Sequence, residues 1–389
     1  MHKKKLVLLG ATGSIGDSSL QVLREHTGEI ELTGIAGYHN WDKLATIARE
    51  FDVQHVGLFD PGAYKEASHS DAFPVHTTFY QGEEGLRELA CLEEADTLIV
   101  AISGTAGLKP TLAAIEQGKQ IALASKEVLV KAGKFVMELA HKHQTTILPV
   151  DSEHNALFQC LEGHPIENVS CLRLTASGGP FLNAPLESFQ NIRPKDALKH
   201  PSWEMGKKIT IDSSTMANKG LELIEARWLF HVKPEQLDVV IHPQSLVHSM
   251  VQFRDGNLLA HLCPTSMTYP IRHCLLYPHP PATPQSTLDF TQALQLEFQP
   301  VDTRRFICLK LAWEALQQEG TAPTIFNAAN EVAVDAFLKE QASYLMIPEV
   351  IDKTLNHMDI NEPTCIEEIE QVDQEARNRA KEILTTTHV

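Results

Sequence analysis

Residues 5–16 read Lys-Leu-Val-Leu-Leu-Gly-Ala-Thr-Gly-Ser-Ile-Gly, an apolar run that ends in glycines spaced three residues apart. The apolar part, Leu6–Leu9, is too short for the core of a signal peptide and predicts a buried first strand. Gly10, Gly13 and Gly16 let the backbone turn tightly into a helix, whose first N–H groups attract an anion such as a pyrophosphate. The pattern favours a dinucleotide-binding turn over a purely structural one.

Outward from this turn, apolar strand patterns alternate with helical ones as far as residue 150. The predicted strands are Lys5–Leu9, Ile30–Ala36, His55–Leu58, Thr97–Ala101, Gln120–Ala124 and Thr146–Val150. Helical patterns such as Asp42–Glu50 and Leu108–Glu116 lie between them. This alternation is typical of a parallel sheet covered on both faces, and the right-handed crossover rule makes it doubly wound. We expect an α/β, Rossmann-like cofactor domain over residues 1–150.

The pattern changes after residue 150. Strand-like pieces mix with helices over residues 151–277, which predicts a central α/β domain; these pieces are Cys171–Ala176, Val239–Ile241, Ser249–Phe253 and Leu258–Leu262. The candidate site residues in this region, described below, make it the expected catalytic domain. Prolines mark residues 278–302 as a linker. Helical patterns at Arg304–Gln318, Asn327–Glu340 and Pro348–Asn356 predict a C-terminal helical bundle over residues 303–389.

Composition restricts the partners. Lys plus Arg number 33 and Asp plus Glu number 50, so the net charge is −17. We expect neither nucleic acid nor membrane as a partner, because phosphate backbones and anionic lipids favour basic surfaces. No apolar run approaches the ~18 residues of a membrane span. The 7 cysteines are scattered without a Cys-x-x-Cys pair, which is typical of reduced cytoplasmic proteins.

The end of the second predicted strand bears on the choice of cofactor. It reads Ala36-Gly37-Tyr38-His39-Asn40, without the carboxylate that NAD sites place near the ribose 2′-hydroxyl. The absence of that carboxylate leaves room for a 2′-phosphate and favours NADP. His39 is the candidate cation in this stretch, and it is only partly charged at neutral pH.

Two carboxylates follow the strand that ends at Val150. If Asp151-Ser152-Glu153 is extended, the side chains of Asp151 and Glu153 point the same way and offer two hard oxygen ligands to Mg²⁺ or Mn²⁺. Alternatively, Asp151 or Ser152 caps a helix that contains His154–Leu161. Spacing alone does not choose between a metal site and a cap.

Three further polar segments lie in the central region. Ser177 stands beside two glycines in Thr175–Phe181, a plausible anion cradle of hydroxyl and N–H groups. A Trp and a Met in the Pro/Gly loop of residues 200–206 predict a lid. Residues 211–222 supply phosphate-type ligands and a third carboxylate: Ser213, Asn218, Lys219 and Glu222. Each of these residues could instead cap a helix or be a solvated surface charge. Together, however, the polar segments are more numerous than the fold alone requires.

These segments, in this order, resemble the 1-deoxy-D-xylulose 5-phosphate reductoisomerase family of the non-mevalonate isoprenoid pathway. The matching stretches are GATGSIG, ALASKE, LPVDSEHNALFQ, LTASGGPF, HPSWEMGKKITIDSSTMANKGLELIEARWLF, IHPQSLVHSMVQF and FNAANEVAVDAFL. The resemblance implies an enzyme that isomerises 1-deoxy-D-xylulose 5-phosphate and reduces the aldehyde with NADPH to 2-C-methyl-D-erythritol 4-phosphate. It also implies a divalent metal ion (Mg²⁺ or Mn²⁺, with Co²⁺ possible), a small phosphorylated sugar as substrate, and a homodimer.

The resemblance also assigns residue roles. It implies a metal site at Asp151, Glu153 and Glu222, and catalytic roles for these three with Lys126 and His200. It implies substrate contacts near the metal from Lys126 and Ser152, a phosphate pocket of Ser177, Ser213, Asn218 and Lys219, and lid contacts from His200, Trp203 and Met205. It implies cofactor contacts from Thr12, Gly13, Ser14, Ile15, Gly37, Asn40, Ser125, Glu127 and Gly206. The residues that follow the second predicted strand add His39 to this set.

This chain departs from the family pattern at two cofactor positions. Ser125 stands where the family often has Asn, so an amide contact is lost. The stretch from Gly37 to Asn40 is one residue longer and lacks the usual strong cation. We therefore expect NADPH to be less sharply preferred over NADH, or the preference to depend more on pH.

Two rival functions predict other residues. A different NADP dehydrogenase would have a nucleophilic Cys motif or a Tyr-x-x-x-Lys pair, and the sequence contains no such pair. A nucleotide-sensing module without chemistry would not need the carboxylate set.

Overall fold

The computed structural model describes residues 3–200, 203, 205–278 and 287–386. The chain divides into two compact units. Unit 1 comprises Met1–Val128, Val136–Asn155 and Ser266–Gln285, and unit 2 comprises Leu129–Phe135, Ala156–Thr265 and Ser286–Val389.

Unit 1 is built on a parallel sheet. Within the described residues its strands are β1 (Lys4–Leu9), β2 (Ile30–Gly37), β3 (His55–Leu58), β4 (Thr78–Gln81), β5 (Thr97–Val100), β6 (Gln120–Leu123) and β7 (Ile147–Pro149). The strand order is β4-β3-β2-β1-β5-β6-β7, so the order reverses at β1, which pairs in parallel with both β2 and β5. Such a reversal is the place where doubly wound sheets bind ligands. The predicted Rossmann-like sheet is confirmed.

The sequence did not predict β4. Its residues Thr78–Gln81 are exposed or half-buried, and the strand lies at the edge of the sheet, where it pairs with β3. An edge strand buries less apolar surface than a central one and so carries a weaker apolar signal.

The helices from α1 to α7 connect or follow these strands. They are α1 (Ser14–Glu25), α2 (Trp41–Phe51), α3 (Pro61–Ser68), α4 (Gly82–Ala90), α5 (Leu108–Glu116), α6 (Glu127–Lys142) and α7 (Ser152–Leu161). The apolar residues Leu20 and Leu23 of α1 are buried, as the amphipathic pattern requires.

The turn between β1 and α1 needs its first glycine. Gly10 has φ +94°, and a Cβ there would lie 2.1 Å from the carbonyl oxygen of Ala101, just after β5. A side chain at this position would collide with backbone in a conformation that favours glycine. The turn therefore lies directly at the point where the strand order reverses.

Unit 2 contains a mixed sheet. Within the described residues its strands are β8 (Val169–Ala176), β9 (Leu237–Ile241), β10 (Val247–Phe253) and β11 (Leu258–Leu262). Their order is β11-β10-β8-β9; β8 and β9 are parallel, and the other pairs are antiparallel.

Helices pack against this sheet and against one another. The helices that follow α7 are α8 (Pro194–Ala197), α9 (Lys207–Thr215), α10 (Ala217–Leu229), α11 (Thr268–Leu276, in unit 1), α12 (Ile307–Gln318), α13 (Ala322–Leu338), α14 (Met346–Asn356) and α15 (Ile366–Thr386). Leu172 of β8, Leu221 of α10 and Phe326 of α13 belong to one continuous hydrophobic core. A Cβ on Gly220 would lie 2.3 Å from the Cβ of Ala312, so α10 and α12 approach very closely there.

The division into domains at residues 150, 277 and 302 stays a prediction. Of the predicted linker, residues 279–286 lie outside the described residues. In the part of the chain that is described, no helix combines the length and apolarity needed to cross a membrane.

Candidate functional site

Four groups of predicted site residues follow strands of the unit 1 sheet. Thr12, Gly13, Ser14 and Ile15 follow β1, Gly37 ends β2, Ser125, Lys126 and Glu127 follow β6, and Asp151, Ser152 and Glu153 follow β7. Because the carboxyl ends of parallel strands share one edge, the structure brings these groups together along that edge. A Cβ on Gly37 would lie 3.2 Å from the Thr12 hydroxyl, so the end of β2 touches the glycine turn.

Ser125 joins two neighbouring loops. Its hydroxyl lies 3.2 Å from the carbonyl oxygen of Val100 and 2.5 Å from that of Ile102. The hydroxyl therefore ties the loop after β6 to the loop after β5. Its predicted contact with the cofactor stays a prediction.

The Lys126 ammonium and the Asp151 carboxylate form a buried ion pair, with 2.6 Å between Nζ and Oδ2. Lys126 is only 5% exposed. Burial alone would raise the pKa of the Asp151 carboxyl, but the Lys126 ammonium and His154 hold it well below its ordinary value. Asp151 is thus an anion, the form that a metal ligand needs.

The extended geometry considered for residues 151–153 is wrong. Helix α7 begins at Ser152, so Glu153 lies in its first turn. The Asp151 Oδ1 accepts from the Glu153 backbone N–H at 3.3 Å, and the Ser152 hydroxyl donates to Glu153 Oε2 at 2.6 Å. Asp151 therefore contacts the helix start while its other oxygen meets Lys126, so the cap and the anionic site coexist.

The sequence did not predict two further side chains beside Asp151, those of His154 and Asn155. The fully buried His154 has Nδ1 3.8 Å from the Asp151 carboxylate, and Asn155 donates to the carbonyl oxygen of Pro149 at 2.9 Å. The i, i+3 spacing from Asp151 to His154 on a helix was the available signal.

In unit 2 the loop after β8 folds back on itself. Gly178 and Gly179 have φ +82° and +67°, and the Gly179 N–H donates to the Ser177 hydroxyl oxygen at 3.2 Å. A Cβ on Gly179 would lie 2.8 Å from the carbonyl oxygen of Ser213 on α9. The structure thus brings the Ser177 loop against Ser213.

His200 also reaches this loop. Its Nε2 lies 3.2 Å from the Ser177 hydroxyl, and its Nδ1 accepts from the Trp203 backbone N–H at 3.0 Å. Burial lowers the pKa of His200 to about 4, so the ring is neutral at neutral pH. Because Nδ1 accepts, the neutral ring carries its proton on Nε2 and donates it to Ser177. Ser177 then accepts two hydrogen bonds, and its own hydrogen can point to an anion.

The predicted lid is described in part. Residues 201, 202 and 204 lie outside the described residues. The Trp203 ring lies 6.2 Å from the ring of His248, a neighbour that sequence reasoning missed. Gly206 precedes α9, and its carbonyl oxygen accepts from the Thr210 hydroxyl at 2.8 Å. Of the predicted cofactor residues, Gly206 belongs to unit 2 and the others to unit 1.

The start of α10 holds a compact charged group. Helix α9 ends at Thr215, and Met216 with φ 61° turns the chain into α10. The Lys219 ammonium and the Asn218 amide both donate to the Glu222 carboxylate. Lys219 is 4% exposed and Glu222 1% exposed, so this carboxylate is buried with its cation beside it.

Comparison with known proteins covers nearly the whole chain. The family model described as 1-deoxy-D-xylulose 5-phosphate reductoisomerase matches residues 6–133, and two models of reductoisomerase C-terminal domains match residues 147–230 and 262–379. A relative from Geobacillus sp. (strain WCH70), named 1-deoxy-D-xylulose 5-phosphate reductoisomerase, is 46% identical over 98% of this chain and 100% of its own. The protein of that name from Bacillus subtilis (strain 168) is 44% identical with the same coverage.

Solved structures agree with these relatives. A crystal structure of DOX-P reductoisomerase in complex with NADPH, fosmidomycin and magnesium superposes with a TM-score of 0.93, at 42% identity over 99% of both chains. The Zymomonas mobilis 1-deoxy-D-xylulose 5-phosphate reductoisomerase in complex with NADPH has a TM-score of 0.91, at 40% identity over 98% of this chain and 99% of its own. This chain therefore belongs to the 1-deoxy-D-xylulose 5-phosphate reductoisomerase family.

Proposed function

We propose that the residues described above divide the family's two-step reaction between cofactor, metal and substrate groups. The chain isomerises 1-deoxy-D-xylulose 5-phosphate and reduces the intermediate with NADPH to 2-C-methyl-D-erythritol 4-phosphate, in a reaction that depends on a divalent metal ion. The observation that carries the residue assignment is the Ser177 hydroxyl, whose two acceptor contacts leave its hydrogen for a phosphate oxygen.

NADPH is assigned to the carboxyl edge of the unit 1 sheet. The turn from Gly10 to Gly16 leads into the N-terminus of α1, whose N–H groups suit a pyrophosphate. Cofactor contacts are assigned to Thr12, Gly13, Ser14, Ile15, Gly37, His39, Asn40, Ser125, Glu127 and Gly206. The tight approach that Gly10 and Gly37 allow supports this assignment.

A divalent ion is assigned to Asp151, Glu153 and Glu222. Carboxylate oxygens are the ligands that Mg²⁺ and Mn²⁺ prefer. Asp151 meets the ammonium of Lys126, and Glu222 meets that of Lys219, so each carboxylate already has a cation as its partner. When bound, the ion supplies positive charge beside the ketone and hydroxyl oxygens of the substrate.

The substrate is assigned to groups at both ends of its carbon chain. Ser152 and Lys126 bind the oxygens near the metal, and Lys126 also stabilises negative charge that develops on them. The phosphate is bound by Ser177, Ser213, Asn218 and Lys219. Lid contacts come from His200, Trp203 and Met205. Because the phosphate is remote from the reacting carbons, its binding energy orients the substrate and holds the lid closed against water.

One assay tests the activity and the metal assignment together. Oxidation of NADPH, followed by absorbance, should require 1-deoxy-D-xylulose 5-phosphate and should stop when EDTA is added. Glu153→Gln should lose metal-dependent turnover while its NADPH dissociation constant changes less than about twofold. Normal turnover of Glu153→Gln with added Mg²⁺ would contradict the metal role, and turnover without substrate would contradict the function.

A second assay tests the phosphate pocket. Lys219→Ala should mainly raise the KM for the substrate, because a phosphate contact remote from the chemistry is present in both ground and transition states. A substrate analogue without the phosphate should lose little further from this substitution. An equal loss for the analogue would show that Lys219 does not read the phosphate.

We also propose a homodimer that uses strand β11. This strand lies at the edge of the unit 2 sheet, and Leu258, Leu259 and Leu262 on it are 49%, 40% and 37% exposed. The backbone N–H and C=O groups of an apolar edge strand can pair with those of a second copy of the chain. Leu259→Lys should convert the dimer into a monomer in light scattering after size exclusion. A wild-type monomer, or an unchanged mass for Leu259→Lys, would contradict this assignment.

The cytoplasm is the proposed compartment. All seven cysteines, which lie within the described residues, are reduced. Free thiols suit a reducing compartment. Recovery of the protein with periplasmic rather than cytoplasmic markers would contradict the proposal.

A further inference from the structure

A lysine outside every quoted motif lies beside the glycine turn. Lys43 stands in the first turn of α2, just after the stretch that lacked a strong cation. Its Nζ lies 3.2 Å from the carbonyl oxygen of Thr12 and 2.7 Å from the carboxylate of Asp17. The lysine is separated from these partners by 31 and 26 residues, so only the fold brings them together.

The Lys43 ammonium lies near the place where dinucleotide folds bind the ribose that can carry a 2′-phosphate. Dinucleotide folds read the ribose 2′-substituent at the end of the second strand, beside the glycine turn. Gly37, at the end of β2, approaches Thr12 so closely that a Cβ there would lie 3.2 Å from its hydroxyl. Lys43 contacts the same residue, because its ammonium donates to the backbone carbonyl oxygen of Thr12. Its ammonium therefore lies at the corner between the turn and β2.

The local backbone holds the base of this side chain. Asn40 is the N-cap of α2, and its side-chain oxygen accepts from the Lys43 backbone N–H at 3.2 Å. The four-carbon stem above that anchor is flexible and carries a point charge with three donors. The ammonium can therefore exchange an Asp17 oxygen for a phosphate oxygen without any movement of α2.

We propose that Lys43 binds the 2′-phosphate of NADPH and sets the preference of this chain for NADPH over NADH. Asp17 holds the ammonium at the turn in the free protein and competes with the phosphate for it. A lysine ammonium offers a compact point charge with three donors, which the imidazole of a histidine does not. This inference rests on the cofactor role proposed for unit 1.

Direct nucleotide binding tests it. Dissociation constants for NADPH and NADH are measured on the substrate-free full chain by isothermal titration calorimetry. Lys43→Met should weaken NADPH binding about tenfold and change NADH binding less than twofold, because only NADPH carries the extra phosphate. Lys43→Arg should restore most of the NADPH affinity. Adenosine 2′,5′-bisphosphate and AMP should show the same contrast.

Lys5 provides a matched control. Its side chain is 32% exposed, as is that of Lys43, and it pairs with Glu31 at 3.9 Å near the opposite end of β1. Lys5→Met should leave both dissociation constants unchanged. His39→Gln should reduce the NADPH preference far less than Lys43→Met, and the NADPH/NADH ratio of the wild type should stay flat between pH 6 and 8.

The possible failures are distinguishable. If the wild type binds neither nucleotide, the proposed cofactor role is wrong. If the wild type prefers NADPH but Lys43→Met keeps that preference, this inference alone is overturned. Loss of the preference in His39→Gln but not in Lys43→Met would transfer the role to His39.

Discussion

Replacing Lys219 by Met should destabilise unit 2 strongly, because the substitution removes the cation of a buried ion pair. Lys219 and Glu222 are 4% and 1% exposed, and the ammonium donates directly to the carboxylate. Removing one partner of such a pair costs about 3–5 kcal/mol, since the other charge stays buried. The Asn218 amide still donates to Glu222, so we expect the lower end, about 3 kcal/mol.

A second substitution separates the charge from the packing. Lys219→Met combined with Glu222→Gln removes both charges and keeps two side chains of similar size. The double variant should be more stable than Lys219→Met alone, with a coupling of at least about 1.5 kcal/mol. The urea dependence of unfolding in EDTA measures these differences, because EDTA removes any divalent ion that could replace the lost ammonium. Trp228 lies on the same helix and reports the transition by fluorescence.

An exposed pair in unit 2 is the control. Lys353 and Glu349 on α14 form an i, i+4 pair at 2.7 Å, with both side chains 42% exposed. Lys353→Met should cost less than about 0.5 kcal/mol. The reasoning fails if Lys219→Met costs no more than Lys353→Met, or if the double variant is as unstable as the sum of its two single changes.

Three further predictions concern single side chains. Tyr344→Phe should lower the free energy of unfolding in urea by about 1 kcal/mol, because the buried Tyr344 hydroxyl donates to the Ser214 carbonyl at 2.8 Å. An unchanged free energy of unfolding would show that this hydrogen bond does not stabilise the protein. Burial, aided by nearby charges, lowers the pKa of His248 to about 4, so the unfolded chain binds the extra proton and stability should fall as pH drops from 6.5 toward 4. His248→Gln should reduce that slope, and an equal slope in both proteins would contradict the assignment. Gly10→Ala should lose NADPH binding and lower the melting temperature, whereas Gly28→Ala, where a Cβ meets nothing within 4 Å, should change neither; equal effects at both positions would contradict the steric argument.

The parallel sheet was predictable because its signal is local. Strands β1, β2, β3, β5, β6 and β7 are rich in apolar residues, and the structure places their ends within two residues of the predicted bounds. Strand β4 was not predicted because it lies at the sheet edge, where its residues are exposed or half-buried. The start of α7 at Ser152 was one of two open alternatives, since Asp and Ser suit both a cap and a metal site.

The types of chemistry in the site were also visible in the sequence. Carboxylates at 151, 153 and 222, hydroxyls at 177 and 213, and a lysine at 219 indicate metal and phosphate binding by their donor atoms. The contacts among them were not visible. That Ser177 accepts from both Gly179 and His200, which leaves its hydrogen for an anion, depends on a 23-residue separation closed by the fold.

Net charge also separates what the sequence determines from what the tertiary structure decides. The sequence by itself determined that a chain of net charge −17 has no broad basic surface, and that its anionic ligands need local cations. The sequence already named Lys126 and Lys219, but only the tertiary structure showed that they pair with Asp151 and Glu222, and only it placed Lys43 beside the glycine turn. The apolar periodicity of a helix or strand involves residues that are close in the sequence, so it can be predicted from the sequence. Charge pairing acts through space, and the Lys43 ammonium meets Thr12 only after the sheet has formed.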